Sequence, residues 1–217
     1  MSINNVDKLP RKARIMLIGI AVSALGNGLV LPYTFIYFHN VRGFPIAVAG
    51  IIASYGALAS LAISPLVGSL IDKWGPKPVL LASLIVSSVG YCGLSLVKTI
   101  PMAFFVTTIC AIGQSAMWPS QNAISTELTP EPLRERIYGA QFAMLNLGIG
   151  IGGLVSSLVV TLDNARTFEL LFIGDGLSYL VYLITVLTLG DVGRRTHSER
   201  IANAKLEGGW KDVLADK

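Results

Sequence analysis

Charge is what this sequence has least of: 14% of its 217 residues are Asp, Glu, Lys or Arg, where a soluble domain carries roughly a quarter. Histidine and cysteine are almost missing too, with two of each. His39 falls near one end of an apolar stretch and His197 in the polar tail, so no Ser–His pair forms in an apolar setting. Cys92 and Cys110 sit inside apolar stretches and read as small buried hydrophobes, neither a disulfide nor a metal pair. There are no facing carboxylate pairs, metal-ligand clusters or phosphate-cradling glycine loops. These absences argue against an enzyme and against any cofactor or metal. A net charge of +4 and a pI near 9.1 suggest a nucleic-acid binder at first sight. No soluble basic domain exists to carry that role, and nucleic acid is excluded as a partner.

What the chain has instead is hydrophobic length. Mean hydropathy is +0.63 and 53% of residues are hydrophobic. The apolar stretches run near 15–38, 46–70, 79–97, 102–124, 138–162 and 168–189. Each is about 20 residues or more, enough to cross a hydrocarbon core of roughly 30 Å. They do not alternate apolar and polar as barrel strands do, so they are helices whose backbone groups bond internally. The reading is an all-α membrane protein of six transmembrane helices, with the lipid bilayer as its first partner. Residues 1–14 form a cytoplasmic N-terminus, 15–189 the transmembrane domain, and 190–217 a cytoplasmic tail or the start of a central loop. The first stretch is too long for a signal peptide, and Ser23-Ala24 is a poor cleavage site, so it is read as a retained helix.

Basic residues are partitioned. Fourteen of the 17 Lys and Arg fall in the N-terminus, the 71–78 loop, the 125–137 loop and the tail; Arg42, Lys98 and Arg166 fall on the other side. The positive-inside rule therefore places both termini in the cytoplasm of a plasma or inner membrane. In the tail, Gly209-Trp210-Lys211-Asp212-Val213-Leu214 reads either as a short interfacial helix or as a disordered end.

An internal repeat is also visible. Asn27 precedes Pro32 by five positions in the first span, and Gln114 precedes Pro119 by five in the fourth. Two inverted three-helix repeats would make those spans equivalent.

The most specific motif joins spans two and three: Gly68-Ser69-Leu70-Ile71-Asp72-Lys73-Trp74-Gly75-Pro76-Lys77. Gly68 permits close helix approach, Asp72 is placed to cap the next helix, Gly75-Pro76 forces a turn, and Lys73 and Lys77 hold the loop inside. This segment resembles the loop signature of the major facilitator superfamily, and Glu127-Leu128-Thr129-Pro130-Glu131-Pro132-Leu133-Arg134-Glu135-Arg136 is similar to that family's connection between helices four and five. The resemblance covers residues 10–217, with drug-efflux branches nearest. It implies the N-terminal half of a twelve-helix transporter. The implied latch loop is Gly68, Asp72, Lys73, Gly75, Lys77, Arg134 and Arg136, with both arginines placed to reach Asp72 or Glu135. It also implies a partner: a missing C-terminal half, a separate chain or a second copy.

Departures from the family pattern matter. Gly148, Gly150, Gly152 and Gly153 resemble the antiporter glycine motif, yet Ile151 or Gly153 stands where a proline is usual. A helix-packing face explains these glycines equally well. Ile109 occupies the place of an arginine, and Asn27 that of an acid in some relatives, which weakens proton coupling by that machinery.

Asp175 is the one ionisable residue well inside a span. Two accounts stand: a coupling carboxylate, or a side chain hydrogen-bonded within the bundle, the plainer of the two. Asn27, Tyr33, Tyr37, Gln114 and Gln121 are the candidate substrate cavity, and their lack of charge suits a small neutral, apolar or weakly cationic molecule. The implied function is secondary active transport by alternating access, with proton-coupled efflux as one form. The competing reading is a non-transporting six-helix subunit that assembles with or regulates another transporter.

Overall fold

The computed structural model describes residues 9–192; the tail segment around Trp210 lies outside the described residues. Those residues form six helices long and apolar enough to cross a membrane, and no strand. Helix α1 covers Arg11–Val41, α2 Ile46–Trp74, α3 Pro76–Leu94, α4 Ile100–Leu128, α5 Arg134–Val159 and α6 Ala165–Leu187.

Proline and glycine set most of the boundaries. Pro10 and Pro45 precede α1 and α2, and Pro76 opens α3 directly after Gly75. Gly75 has φ +88°, a conformation that disfavours any side chain. Asn164 caps α6, its side chain accepting from the Arg166 amide at 3.1 Å. Pro32 interrupts α1 in a turn at 31–33, after which the chain resumes helically and widens to a π-helical stretch, Tyr37–Val41.

Helix neighbours follow a symmetric scheme. α1 packs on α5 and α6, α4 packs on α2 and α3, and α3 packs on α6. Exchanging α1 with α4, α2 with α5 and α3 with α6 leaves that scheme unchanged. Short connections reverse the chain at each step, so the second set of three runs inverted. Individual residues repeat the relation: Gly26 of α1 abuts Ser178 of α6, and Gly113 of α4 abuts Ser87 of α3. The amide after each glycine is Asn27 and Gln114.

In lipid, helices associate through close packing and not through exclusion from water, so small residues decide the approach. Gly148, Gly152 and buried Ser156 recur every four residues along the α5 face that meets α1. A Cβ at Gly148 would meet Ala24 and Leu25, and one at Gly152 would meet Leu25 and the Gly28 backbone. Gly150, on the opposite face, would meet nothing within 4 Å, and Gly153 only the Gly28 carbonyl at 3.9 Å.

Two large apolar clusters, with a smaller third at Val67, Val79 and Ala116, fill the bundle. The one towards the chain's N-terminal end is built on Met16, Ile20, Leu84, Ile124 and Tyr182, and the other on Val30, Phe38, Ile52, Phe168 and Phe172. The α2 and α5 spans are only 11% and 17% buried, against 44–50% in the other four. They are the flanks of the bundle, and their outer faces are open.

Substituting Gly152 by Val is expected to destabilise the fold by about 1–3 kcal/mol through overpacking, whereas Gly150→Val should be close to neutral. Thermal unfolding of the purified protein in detergent distinguishes the two, and equal midpoints would contradict the assigned contact face.

Candidate functional site

The site begins with helical periodicity. Asn27, Leu31, Thr34 and Phe38 share one face of α1, and Gln114, Ala111, Cys110 and Thr107 share one face of α4. With Ile52, Gly56 and Ser60 of α2 and with Tyr91 of α3, they enclose a cavity of about 400 Å³. A larger groove of about 680 Å³ runs along α1 between Arg11, Arg14 and Leu25, with Met144 of α5, and its wall is nearly all apolar. Only the first has convergent uncharged polar groups, the usual character of a ligand site.

Behind that wall is a polar layer. Gln114 Nε2 donates to the Tyr179 phenol at 2.7 Å and the Tyr91 phenol at 3.0 Å. Asn27 Nδ2 reaches the same Tyr179 oxygen at 3.5 Å. The rings of Tyr91 and Tyr179 stack at 5.3 Å. Asp175, wholly buried, lies against Gly26; its Oδ1 accepts from Ser178 Oγ at 3.3 Å and its Oδ2 has no hydrogen-bond partner among the described residues. Tyr91, Cys92, Cys110 and Tyr179 all lie within electrostatic reach of it.

The five cavity candidates thus divide. Asn27 and Gln114 line the cavity. Gln121 is buried, accepting from the Tyr182 hydroxyl at 3.0 Å. Tyr33 packs edge-on against Phe168. Tyr37 is wholly buried among Phe38, Phe168 and Phe172.

Tyr37 belongs to a second polar assembly. Arg42 donates to its hydroxyl from Nε at 2.8 Å and Nη2 at 2.5 Å, to the Ser95 carbonyl at 3.3 Å, and to Glu169 Oε1 at 3.0 Å. The guanidinium also lies 4.9 Å from the Tyr37 ring centroid. One arginine thereby joins the end of α1 to α3 and α6. In the sequence, Glu169 lies near the same membrane boundary as Arg42, one of the three basic residues on that side, and that shared boundary was the available signal.

The loop motif is built differently from the expectation in two respects. Asp72 is exposed and lies within the last turn of α2, and the N-cap residue of α3 is Gly75. A Cβ at Gly68 would meet nothing within 4 Å among the described residues, because α2 is a flank and turns that face away from its own bundle. Lys73 is exposed, whereas Lys77 is buried and its Nζ donates to the Gly190 carbonyl just beyond α6. An ammonium there complements the carbonyl end of the helix. Arg134 and Arg136 stand in the first turn of α5, the former exposed and the latter half-buried.

A six-helix inverted-repeat bundle with an uncharged polar pocket is the half-unit of a membrane transporter. The sequence matches the Major Facilitator Superfamily over residues 6–217, and the chain belongs to that family. It is 27% identical over 181 residues to the uncharacterised MFS-type transporter YttB of Bacillus subtilis, a match covering 82% of this chain and 44% of that one. Multidrug resistance protein 1 of the same organism is 24% identical, covering 93% and 50%. Quinolone resistance protein NorA of Staphylococcus aureus is 21% identical, covering 85% and 46%. A crystal structure of a POT family transporter in complex with 5-aminolevulinic acid superposes with a TM-score of 0.73 at 19% identity, covering 95% of this chain and 45% of that one. The chain spans about half the length of these relatives. It is an integral membrane protein of a transporter family, and that family's members are not enzymes.

Arg42→Ala and Glu169→Gln are expected to lower the unfolding midpoint non-additively, with a coupling of about 0.5–3 kcal/mol in a double-mutant cycle. Strict additivity would mean that the ion pair contributes nothing to holding α1 against α6.

Proposed function

We propose that this chain is the N-terminal half of a secondary active transporter that exports a small neutral, apolar or weakly cationic molecule by alternating access. The observation that carries the reading is the uncharged cavity bounded by Asn27 and Gln114 on the two symmetry-related helices. A midplane site between repeats, exposed alternately as two halves rock, is the arrangement such a fold uses. The names of Multidrug resistance protein 1 and NorA support a drug-like substrate. The partition of basic residues supports cytoplasmic termini in a bacterial-type plasma membrane. The latch consists of Gly68, Asp72, Lys73, Gly75, Lys77, Arg134 and Arg136, with exposed Asp72 meeting the second half. Asp175 is the coupling carboxylate, positioned directly behind the cavity wall.

The open faces of α2 and α5 support a second reading, in which the six helices form a non-transporting subunit that docks on another transporter. Both readings assign those faces to a partner half, whether in the same polypeptide, in a separate chain or in a second copy.

Proteoliposomes of the full-length protein loaded with a lipophilic fluorescent cation test these readings. Transport driven by a pH gradient is expected, and its absence would favour the docking subunit. Asp72→Asn should slow transport several-fold with insertion intact; an unchanged rate would remove the latch assignment. Asp175→Asn should leave downhill movement and abolish the response to the proton gradient. Full retention of that response would assign Asp175 to packing.

A further inference from the structure

Hydrogen-bond accounting at the cavity wall gives it a polarity. Gln114 has two amide protons, and both are committed: one to Tyr179 and one to Tyr91. Asn27 directs its own amide nitrogen at the same Tyr179 oxygen. Gln114 Oε1 and Asn27 Oδ1 accept no hydrogen bond among the described residues, and both residues line the cavity. Tyr179 is wholly buried and stacked on Tyr91, so the phenol that orients the two amides is itself fixed.

We infer that the cavity selects its ligand by N–H donors: an apolar molecule bearing an amide or ammonium N–H, accepted by Gln114 Oε1 and Asn27 Oδ1. Tyr179 is the positioning residue that turns both amide oxygens towards the ligand. This rests on the transporter reading and specifies its substrate class. A carbonyl oxygen accepts equally from a neutral amide and from a cationic amine. A ligand of the same shape offering only oxygen acceptors would leave those carbonyls unpaired in a desolvated site, and a site built around hydrogen bonds discriminates strongly against such an analogue.

The test uses two probes matched in shape that differ in one donor: benzanilide, with an amide N–H, and phenyl benzoate, with an ester oxygen in its place. Binding to the full-length protein in detergent is measured by isothermal titration. Benzanilide is expected to bind about tenfold more tightly. Gln114→Met, which keeps side-chain length without an amide, should bring the ratio near one. Tyr179→Phe should lower the ratio part-way, since Asn27 is then free to turn its nitrogen inward while Gln114 is held by Tyr91 alone. A merely structural Tyr179 would weaken both probes together and leave the ratio intact. If Tyr179→Phe does not fold, Gln114→Met decides alone.

The inference is overturned if the ester binds as tightly as the amide, if the ratio survives Gln114→Met, or if neither probe binds. Vesicle transport measured in parallel separates the two claims. Transport without discrimination overturns the donor selection only, and loss of both overturns the transporter reading with it.

Discussion

Four helices converge on the hydroxyl of Tyr179. Gln114 of α4 and Asn27 of α1 donate to it, Tyr91 of α3 stacks on its ring, and α6 supplies it. Lipid offers an amide no hydrogen-bond partner, so polar groups inside a bilayer pair with one another or face a cavity. The relative positions of α1, α3, α4 and α6 are therefore set by hydrogen-bond demand as much as by packing. A shift of one helix along another would strand an amide proton in a low-dielectric interior.

Such convergence needs helices that approach closely, and the small residues supply the approach. Gly26 lies against Asp175 and Ser178, Gly113 against Ser87, and Gly176 against Cys92. Each is a point where an added Cβ would push the backbones apart. These contacts all lie between members of the central four helices. The α1–α5 contact at Gly28, Gly148 and Gly152 then attaches one flank, and the α2–α4 contact, including the Tyr55–Thr108 hydrogen bond of 2.8 Å, attaches the other. Each flank is held mainly by one neighbouring helix and shows an open outer face, as the proposed packing against a partner half requires.

Much of this was legible in the sequence. Apolar stretches of spanning length dictate six helices, and the resemblance carried by the Asp72 loop leads to the right family. The paired spacing of Asn27–Pro32 and Gln114–Pro119 marked the two helices whose amides meet at one phenol. Finer distinctions were written there but not read: Tyr33 and Tyr37 are out of helical phase with Asn27, whereas Thr34 and Phe38 are in phase. The same periodicity separates Gly150 from Gly148 and Gly152. Gln121 is a different case, because it is in phase with Gln114 yet is buried and accepts from Tyr182 of α6. Nothing local distinguishes Tyr179 and Tyr91 from ordinary aromatic residues in apolar runs, since their role exists only once α3, α4 and α6 are adjacent.

The polar contacts beyond the central layer bear on how such a bundle would move. At one end Arg42 ties α1 to α3 and α6; at the other, Lys77 of α3 donates to the carbonyl that follows α6. Both sets join members of the central four helices and leave α2 and α5 out. Breaking either would expose a charged group to a partly buried setting without its partner, which is costly compared with sliding an apolar flank. In the proposed alternating access, motion of the bundle as one body against its partner half is therefore easier than motion within it. On that proposal the cavity, walled on one side by α2 and on the others by the tied helices, changes its access through the relative movement while Gln114 and Asn27 stay fixed on Tyr179.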